Sequence, residues 1–185
     1  MADQFGFILQ ETIRAVNFVF ACPLKQKQGG LVTERSFIIL LAEDNPDHAE
    51  LVLRMLNRYC TGIEVIHLLD GEVVLNFLNQ KLQYPDKKLS QKPDLILLDL
   101  RLPKVDGFEL LRSIKNNPET KQIPVVVLTT SDAEEDIQKA LKNGADNYLL
   151  KPIAIHQLAK VVDCLGKTNI LWNRNKDNLQ GEDAG

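Results

Sequence analysis

Between Ser36 and about Gly166, short apolar runs of strand length alternate with longer stretches whose apolar residues recur at helical spacing. Phe37 to Ala42 precedes Pro46 to Tyr59, and Ile63 to Leu68 precedes Gly71 to Gln80. Leu95 to Leu98 then leads into Phe108 to Asn116, Val125 to Leu128 into Ala133 to Asn143, and Asn147 to Leu150 into Ile155 to Leu165. The alternation predicts five strand-helix units. Phe-Ile-Ile-Leu-Leu, Leu-Ile-Leu-Leu and Val-Val-Val-Leu are apolar at both alternations, so both faces of each strand are covered. The implied fold is α/β, a five-stranded parallel sheet doubly wound with helices in a single domain. Asn45-Pro46 opens the first helix, Asn116-Asn117-Pro118 ends the third and Asn143-Gly144 closes the fourth.

The flanks have a different texture, which divides the chain into an extension at 1–35, a domain at 36–167 and a polar tail at 168–185. In the extension, Phe5, Ile8, Leu9, Ile13, Val16, Val19 and Phe20 fall at helical spacing before Pro23, although Phe7 and Phe18 lie off that stripe. It is expected to be partly disordered or an amphipathic helix. The tail is expected to be flexible. Tyr84 to Pro93, Lys-rich and holding two prolines, reads as a surface loop.

A chain of 185 residues with 44% hydrophobic content can bury one core of ordinary size. Its 22 Lys and Arg against 25 Asp and Glu provide no basic field for nucleic-acid phosphates, and DNA or RNA binding is not expected. Cys22, Cys60 and Cys164 are odd in number and widely spaced, which points to a reducing compartment, the cytoplasm. No apolar run approaches the roughly 18 residues of a membrane span.

In doubly wound sheets the ligand site lies at the carboxyl ends of the strands. Here those ends are polar: Glu43-Asp44, Asp99, Thr129-Thr130-Ser131 and Lys151-Pro152. Taken singly, Glu43-Asp44 would be a helix N-terminal charge pair, Asp99 a strand-end cap, Thr129 a helix cap and Lys151 a solvated lysine. Their conjunction at one sheet edge favours a site. Three carboxylates repel one another unless a cation joins them, and a hard oxygen donor set suits Mg2+ or Mn2+ better than Zn2+. Beside it, Lys151 and the Thr129 hydroxyl suit a tetrahedral anion, the layout of a phosphoryl-accepting carboxylate. His48, His67 and His156 share no spacing, so structural or exposed roles are expected of each.

Ile38 to Leu165 resembles a two-component receiver domain, the family of the bacterial chemotaxis response regulator. The resemblance rests on Leu40-Leu41-Ala42-Glu43-Asp44-Asn45, on Leu97-Leu98-Asp99-Leu100-Arg101-Leu102-Pro103 with Asp106-Gly107, on Val127-Leu128-Thr129-Thr130, and on Gly144-Ala145-Asp146 leading through Tyr148 to Lys151-Pro152. It implies a flavodoxin-like strand order 2-1-3-4-5, with Asp99 as phosphoacceptor. It further implies that Asp44 binds the metal directly and Glu43 through water, with the backbone carbonyl of Arg101 completing the protein ligands. Thr129 and Lys151 would contact the phosphoryl group, Tyr148 would be the aromatic switch, and the peptide before Pro152 would be cis. Glu43 stands where many relatives have a second Asp. The resemblance also implies that Arg101 would border the acyl phosphate and so bear on its lifetime.

The function expected is a stand-alone phosphorelay receiver: a sensor histidine kinase donates the phosphoryl group, and a downstream protein or a second copy reads the fourth helix, fifth strand and fifth helix. Several segments are similar to receivers serving bacterial and cyanobacterial phytochrome kinases. No attached DNA-binding domain is expected. Alternatives are a pseudo-receiver that binds partners without phosphorylation, or an aspartate-nucleophile phosphatase. The latter carries Asp-x-Asp, but Arg101 holds the general-acid place and cannot give up a proton.

Overall fold

The computed structural model describes residues 16–21, 36–80, 92–164 and 171–172. Its strands are β1 (Val16–Ala21), β2 (Phe37–Ala42), β3 (Cys60–Thr61), β4 (Ile63–Leu68), β5 (Leu95–Asp99), β6 (Val125–Thr129), β7 (Asn147–Leu150) and β8 (Leu171–Trp172). Its helices are α1 (Pro46–Tyr59), α2 (Gly71–Gln80), α3 (Gly107–Asn116), α4 (Glu134–Lys142) and α5 (Ile155–Cys164).

Successive strand residues point to opposite faces, so an all-apolar strand needs cover on both. In β2, Ile38, Leu40 and Ala42 join a core with Val74, Phe77 and Leu78 of α2, Leu110, Leu111 and Ile114 of α3, and Ala140 of α4. Phe37, Ile39 and Leu41 join a second core with Ala49, Val52 and Leu56 of α1 and Leu158 and Val161 of α5. The double winding follows from that partition. Strands β4, β2, β5, β6 and β7 pair in parallel in that order, which is the expected 2-1-3-4-5 among the five repeats.

Val16–Ala21 is a strand rather than part of an amphipathic helix, and pairs antiparallel with the outer edge of β4, from Val16 opposite Leu68 to Ala21 opposite Glu64. The pairing covers an edge that would otherwise present unpaired backbone groups. Val16, Phe18 and Phe20 also fit a period of about two residues, and β-branched and aromatic side chains favour strands. Register shifts between Phe18 and Phe20, which places a bulge at Val19. In the tail, Leu171–Trp172 pairs antiparallel with Cys60–Thr61. The rest of the extension and tail, and nearly all of the expected loop at 84–93, lie outside the described residues.

Each turn at the carboxyl edge is fixed by its own sequence. Asn45 caps α1 by accepting from the amides of Asp47 at 2.9 Å and His48 at 3.2 Å, with Pro46 following at the first helical turn. Asp106 caps α3 through the amides of Phe108 and Glu109. Lys104 takes a positive φ of 69° in the β5–α3 loop, and its ammonium reaches Asp70 at 2.9 Å. Gly107 closes that loop by donating its amide to the Leu100 carbonyl at 3.2 Å. A Cβ at Gly107 would lie 2.4 Å from the Leu100 Cα and 2.5 Å from the Leu100 oxygen, both backbone atoms that cannot swing aside. Gly107→Ala is therefore expected to cost about 1–3 kcal/mol, in the range of overpacking. Urea unfolding measures it, and an unchanged midpoint would contradict the close approach.

Candidate functional site

The parallel register brings the last residues of β2, β5, β6 and β7 to one edge. Glu43, directly after β2, is fully buried. Asp99 ends β5 and Thr129 ends β6, both buried, and Lys151 follows β7. The Lys151 ammonium donates to Asp99 Oδ2 at 2.6 Å and to Glu43 Oε2 at 2.5 Å. These three side chains are 6%, 10% and 0% exposed, so the ion pairs are largely out of water. Other contacts fix the members singly. The Arg101 amide donates to Asp99 Oδ1 at 3.0 Å, and the Asn45 amide to Glu43 Oε1 at 3.4 Å. The Lys151 amide donates to the Thr129 carbonyl at 2.8 Å, and the Lys151–Pro152 peptide is cis as expected.

Two carboxylates facing one ammonium leave the pocket short of positive charge. Burial pushes the Glu43 carboxyl above its ordinary range and Asp99's charge adds to this, while the hydrogen bond and charge of Lys151 pull it down. The Thr129 hydroxyl accepts from the Ser131 amide at 3.0 Å, which leaves its own O–H proton available to donate. Asp44 is exposed beside Glu43, and Arg101 is exposed beyond Asp99. Tyr148 is half-buried and packs against the core that includes Ala140 of α4.

A scan of family models matches residues 39–163 to the response regulator receiver domain. The chain belongs to that family. It is 43% identical over 125 residues to the response regulator Rcp1 of Synechocystis, covering 68% of this chain and 83% of Rcp1. The Mn2+-bound Rcp1 structure superposes with a TM-score of 0.57 at 40% identity, over 71% of this chain and 92% of that one. A Methanothrix harundinacea protein, FilR2, is 39% identical over 145 residues, 78% of this chain and 91% of its own. The phosphorylated cyanobacterial phytochrome response regulator RcpA superposes with a TM-score of 0.59 at 34% identity, over 75% of this chain and 99% of that one. The chain is thus a phosphorelay response regulator, a signalling protein built as a receiver domain. Among its described residues, no helix is long and apolar enough to cross a membrane.

One residue at the site was not expected there. His48, in the first turn of α1, places Nδ1 3.3 Å from Glu43 Oε1 and 3.4 Å from the Lys151 ammonium. Glu43, His48 and Asp99 each bring a donor atom within 4.8 Å of the others. The sequence signal was its place rather than its spacing to other histidines: it stands in the opening turn of the helix that follows Glu43. His67, by contrast, is buried, with Nε2 2.8 Å from the Glu43 carbonyl oxygen. That is the structural role expected of it.

Removing Lys151 would leave Glu43 and Asp99 facing each other without their cation. Lys151→Ala is expected to lose about 3–5 kcal/mol, the cost of breaking a buried ion pair from one side. Glu43's carboxyl is already raised by burial, so the folded chain holds that proton more tightly than the unfolded chain does. The variant's deficit is therefore largest at neutral pH and shrinks as acidification protonates Glu43. Urea unfolding of both proteins from pH 7 to pH 5 checks it, and a deficit independent of pH would contradict the charge argument.

Proposed function

We propose that Asp99 is the phosphoacceptor and that Glu43, Asp44, Thr129 and Lys151 serve it. The observation that carries this reading is the convergence of Lys151 on Asp99 and Glu43 at the carboxyl edge of the sheet. The Arg101 amide holds Asp99 Oδ1, which leaves Oδ2 to attack the phosphorus of an incoming donor. The new bond is Oδ2 to phosphorus, and the bond that breaks joins phosphorus to the nitrogen of a kinase phosphohistidine. Lys151 follows the charge from the carboxylate onto the phosphoryl oxygens, and the Thr129 O–H donates to them. As Thr129 moves toward the phosphoryl group, Tyr148, half-buried at rest, turns further inward.

The donor set fits a hard divalent cation, Mg2+ or Mn2+, because carboxylates gathered in a partly buried pocket exceed the positive charge the protein supplies. Asp99, Asp44, Glu43 and the Arg101 backbone carbonyl would hold it. When bound, it supplies the charge that lets an anionic phosphodonor approach Asp99. The Mn2+-bound form of Rcp1 supports the choice of ion.

The phosphodonor is a sensor histidine kinase, and likeness to RcpA, a phytochrome response regulator, favours a phytochrome kinase. A hollow of about 520 Å3 opens beside Lys151, with Leu51, Val52 and Met55 of α1 on one side and Ile153 and Ile155 on the other. Leu51 is 61% exposed, an apolar side chain well placed to receive a kinase helix next to the acceptor. The output surface lies on α4, β7 and α5, where Leu141 and Leu150 are exposed, and it serves a downstream protein or a second copy of the chain.

Asp99→Asn is expected to abolish the Mg2+-dependent gain of one phosphoryl group from acetyl phosphate, read by intact mass. Uptake equal to wild type would overturn the assignment of Asp99. Leu51→Glu is expected to slow transfer from the histidine kinase at least about tenfold, as loss of a central apolar contact does. It should leave labelling by acetyl phosphate unchanged, and equal kinase transfer in both proteins would place the docking surface elsewhere.

A further inference from the structure

We propose that His67 is a positioning residue of the phosphoacceptor site: its imidazole N–H fixes the Glu43 backbone and so holds the Glu43 carboxylate where it meets Lys151 and serves the divalent ion. The inference rests on the receiver reading given above and extends it to a buried residue that the phosphoryl transfer itself does not touch.

Strand β4 puts Ile66 and Leu68 into the core that holds α2 and α3, and Ile63 and Val65 into the core that holds α1 and α5. By the same alternation His67 falls on the second face, where it is 5% exposed. A leucine or valine would fill that place as Ile63 and Val65 fill theirs. A buried imidazole costs free energy unless its N–H is bonded, so what the position gains over an apolar residue is the bond.

That bond completes the end of the sheet. Ala42 lies opposite Leu68, and the Glu43 amide donates to the Leu68 carbonyl at 3.1 Å. Continued by one step, a parallel ladder would bring the Asp70 amide to the Glu43 carbonyl. The chain at Asp70 is already turning into α2, with its carboxylate accepting from the Val73 amide at 2.8 Å. The Glu43 carbonyl takes His67 Nε2 at 2.8 Å, and because a carbonyl only accepts, Nε2 carries the hydrogen. The Glu43 backbone is thereby held at both of its polar groups by successive residues of β4.

The anchor itself has little freedom. His67 sits in the middle of three strands, paired with Asn17 of β1 on one side and Leu41 of β2 on the other. With its backbone fixed, the fully buried Glu43 presents Oε2 to Lys151 at 2.5 Å, and Lys151 reaches Asp99 Oδ2 at 2.6 Å. A shift of the Glu43 backbone therefore moves one partner of the ammonium, and with it the charge that a divalent ion and a phosphoryl group meet.

The test uses the full chain, with Mn2+ as the probe. His67→Met keeps a buried apolar side chain and removes the donor, while His67→Gln keeps an N–H at nearly the same reach. By calorimetry, Mn2+ affinity is expected to fall about tenfold or more in His67→Met, the range for hydrogen-bonded partners standing behind a metal site, and to be mostly restored in His67→Gln. In a Glu43→Ala background His67→Met should lower the affinity no further, because the side chain it acts through is gone. Unchanged affinity in His67→Met, an equally deep loss in His67→Gln, or the same loss with and without the Glu43 side chain would overturn the inference. Urea unfolding accompanies each variant, and if His67→Met does not fold, NMR of the His67 Nε2 resonance decides. Saturating Mg2+ is expected to shift it in wild type and not in Glu43→Ala; no shift in wild type, or the same shift in both, would count against the role. Mg2+-dependent labelling of wild type by acetyl phosphate separates the two readings. Labelling with unchanged affinity in His67→Met sinks only the role of His67, whereas neither Mn2+ binding nor labelling sinks both.

Discussion

Two buried carboxylates, Glu43 and Asp99, share one ammonium, and the rest of the molecule is arranged around that imbalance. Like charges in a low-dielectric pocket repel strongly, and a single lysine does not neutralise them. The pocket therefore attracts a cation and, once that charge is present, tolerates an anionic phosphoryl group. A receiver needs both properties: an acceptor protected from water, and an electrostatic state that changes when the acceptor is modified.

The fold supplies the precision. Parallel pairing places the ends of β2, β5, β6 and β7 along one edge, so residues far apart in the chain meet without a long loop to position them. Short, sequence-determined turns then aim each group. Asn45 and Asp106 cap the helices that follow the acidic strand ends, and Gly107 lets the β5–α3 loop fold back on Leu100. Lys151 is tied by its own amide to the Thr129 carbonyl, so the lysine and the hydroxyl that would meet the phosphoryl group belong to one rigid junction of β6 and β7. Movement of either would be felt by the other, which would give the proposed switch a mechanical basis.

Much of this was legible in the sequence because burial on both faces of a parallel sheet leaves an unambiguous pattern. The runs at Phe37–Ala42, Leu95–Asp99 and Val125–Thr129 could be little else, and polar residues at their ends stood out. The extension was harder. Val16–Ala21 lies in a stretch whose apolar residues fit a helical stripe almost as well as an alternating one, and only its partner, the open edge of β4, decides between them. Side-chain convergence was also beyond periodicity. Glu43, Asp99 and Lys151 could be gathered from strand ends, whereas His48 belongs to the site through the turn made by Asn45, a relation visible only once that cap is drawn in three dimensions.

If Lys151 serves the phosphoryl group as proposed, its ammonium exchanges Glu43 for that group on activation while the divalent cation is held beside it. A crystal structure of the chain with Mg2+ and beryllofluoride, a phosphoryl mimic, tests it most directly. The mimic is expected on Asp99, with the Lys151 ammonium bonded to it and beyond hydrogen-bond reach of Glu43. An ammonium still bridging Glu43 and Asp99 Oδ2 in a fully loaded site would contradict it.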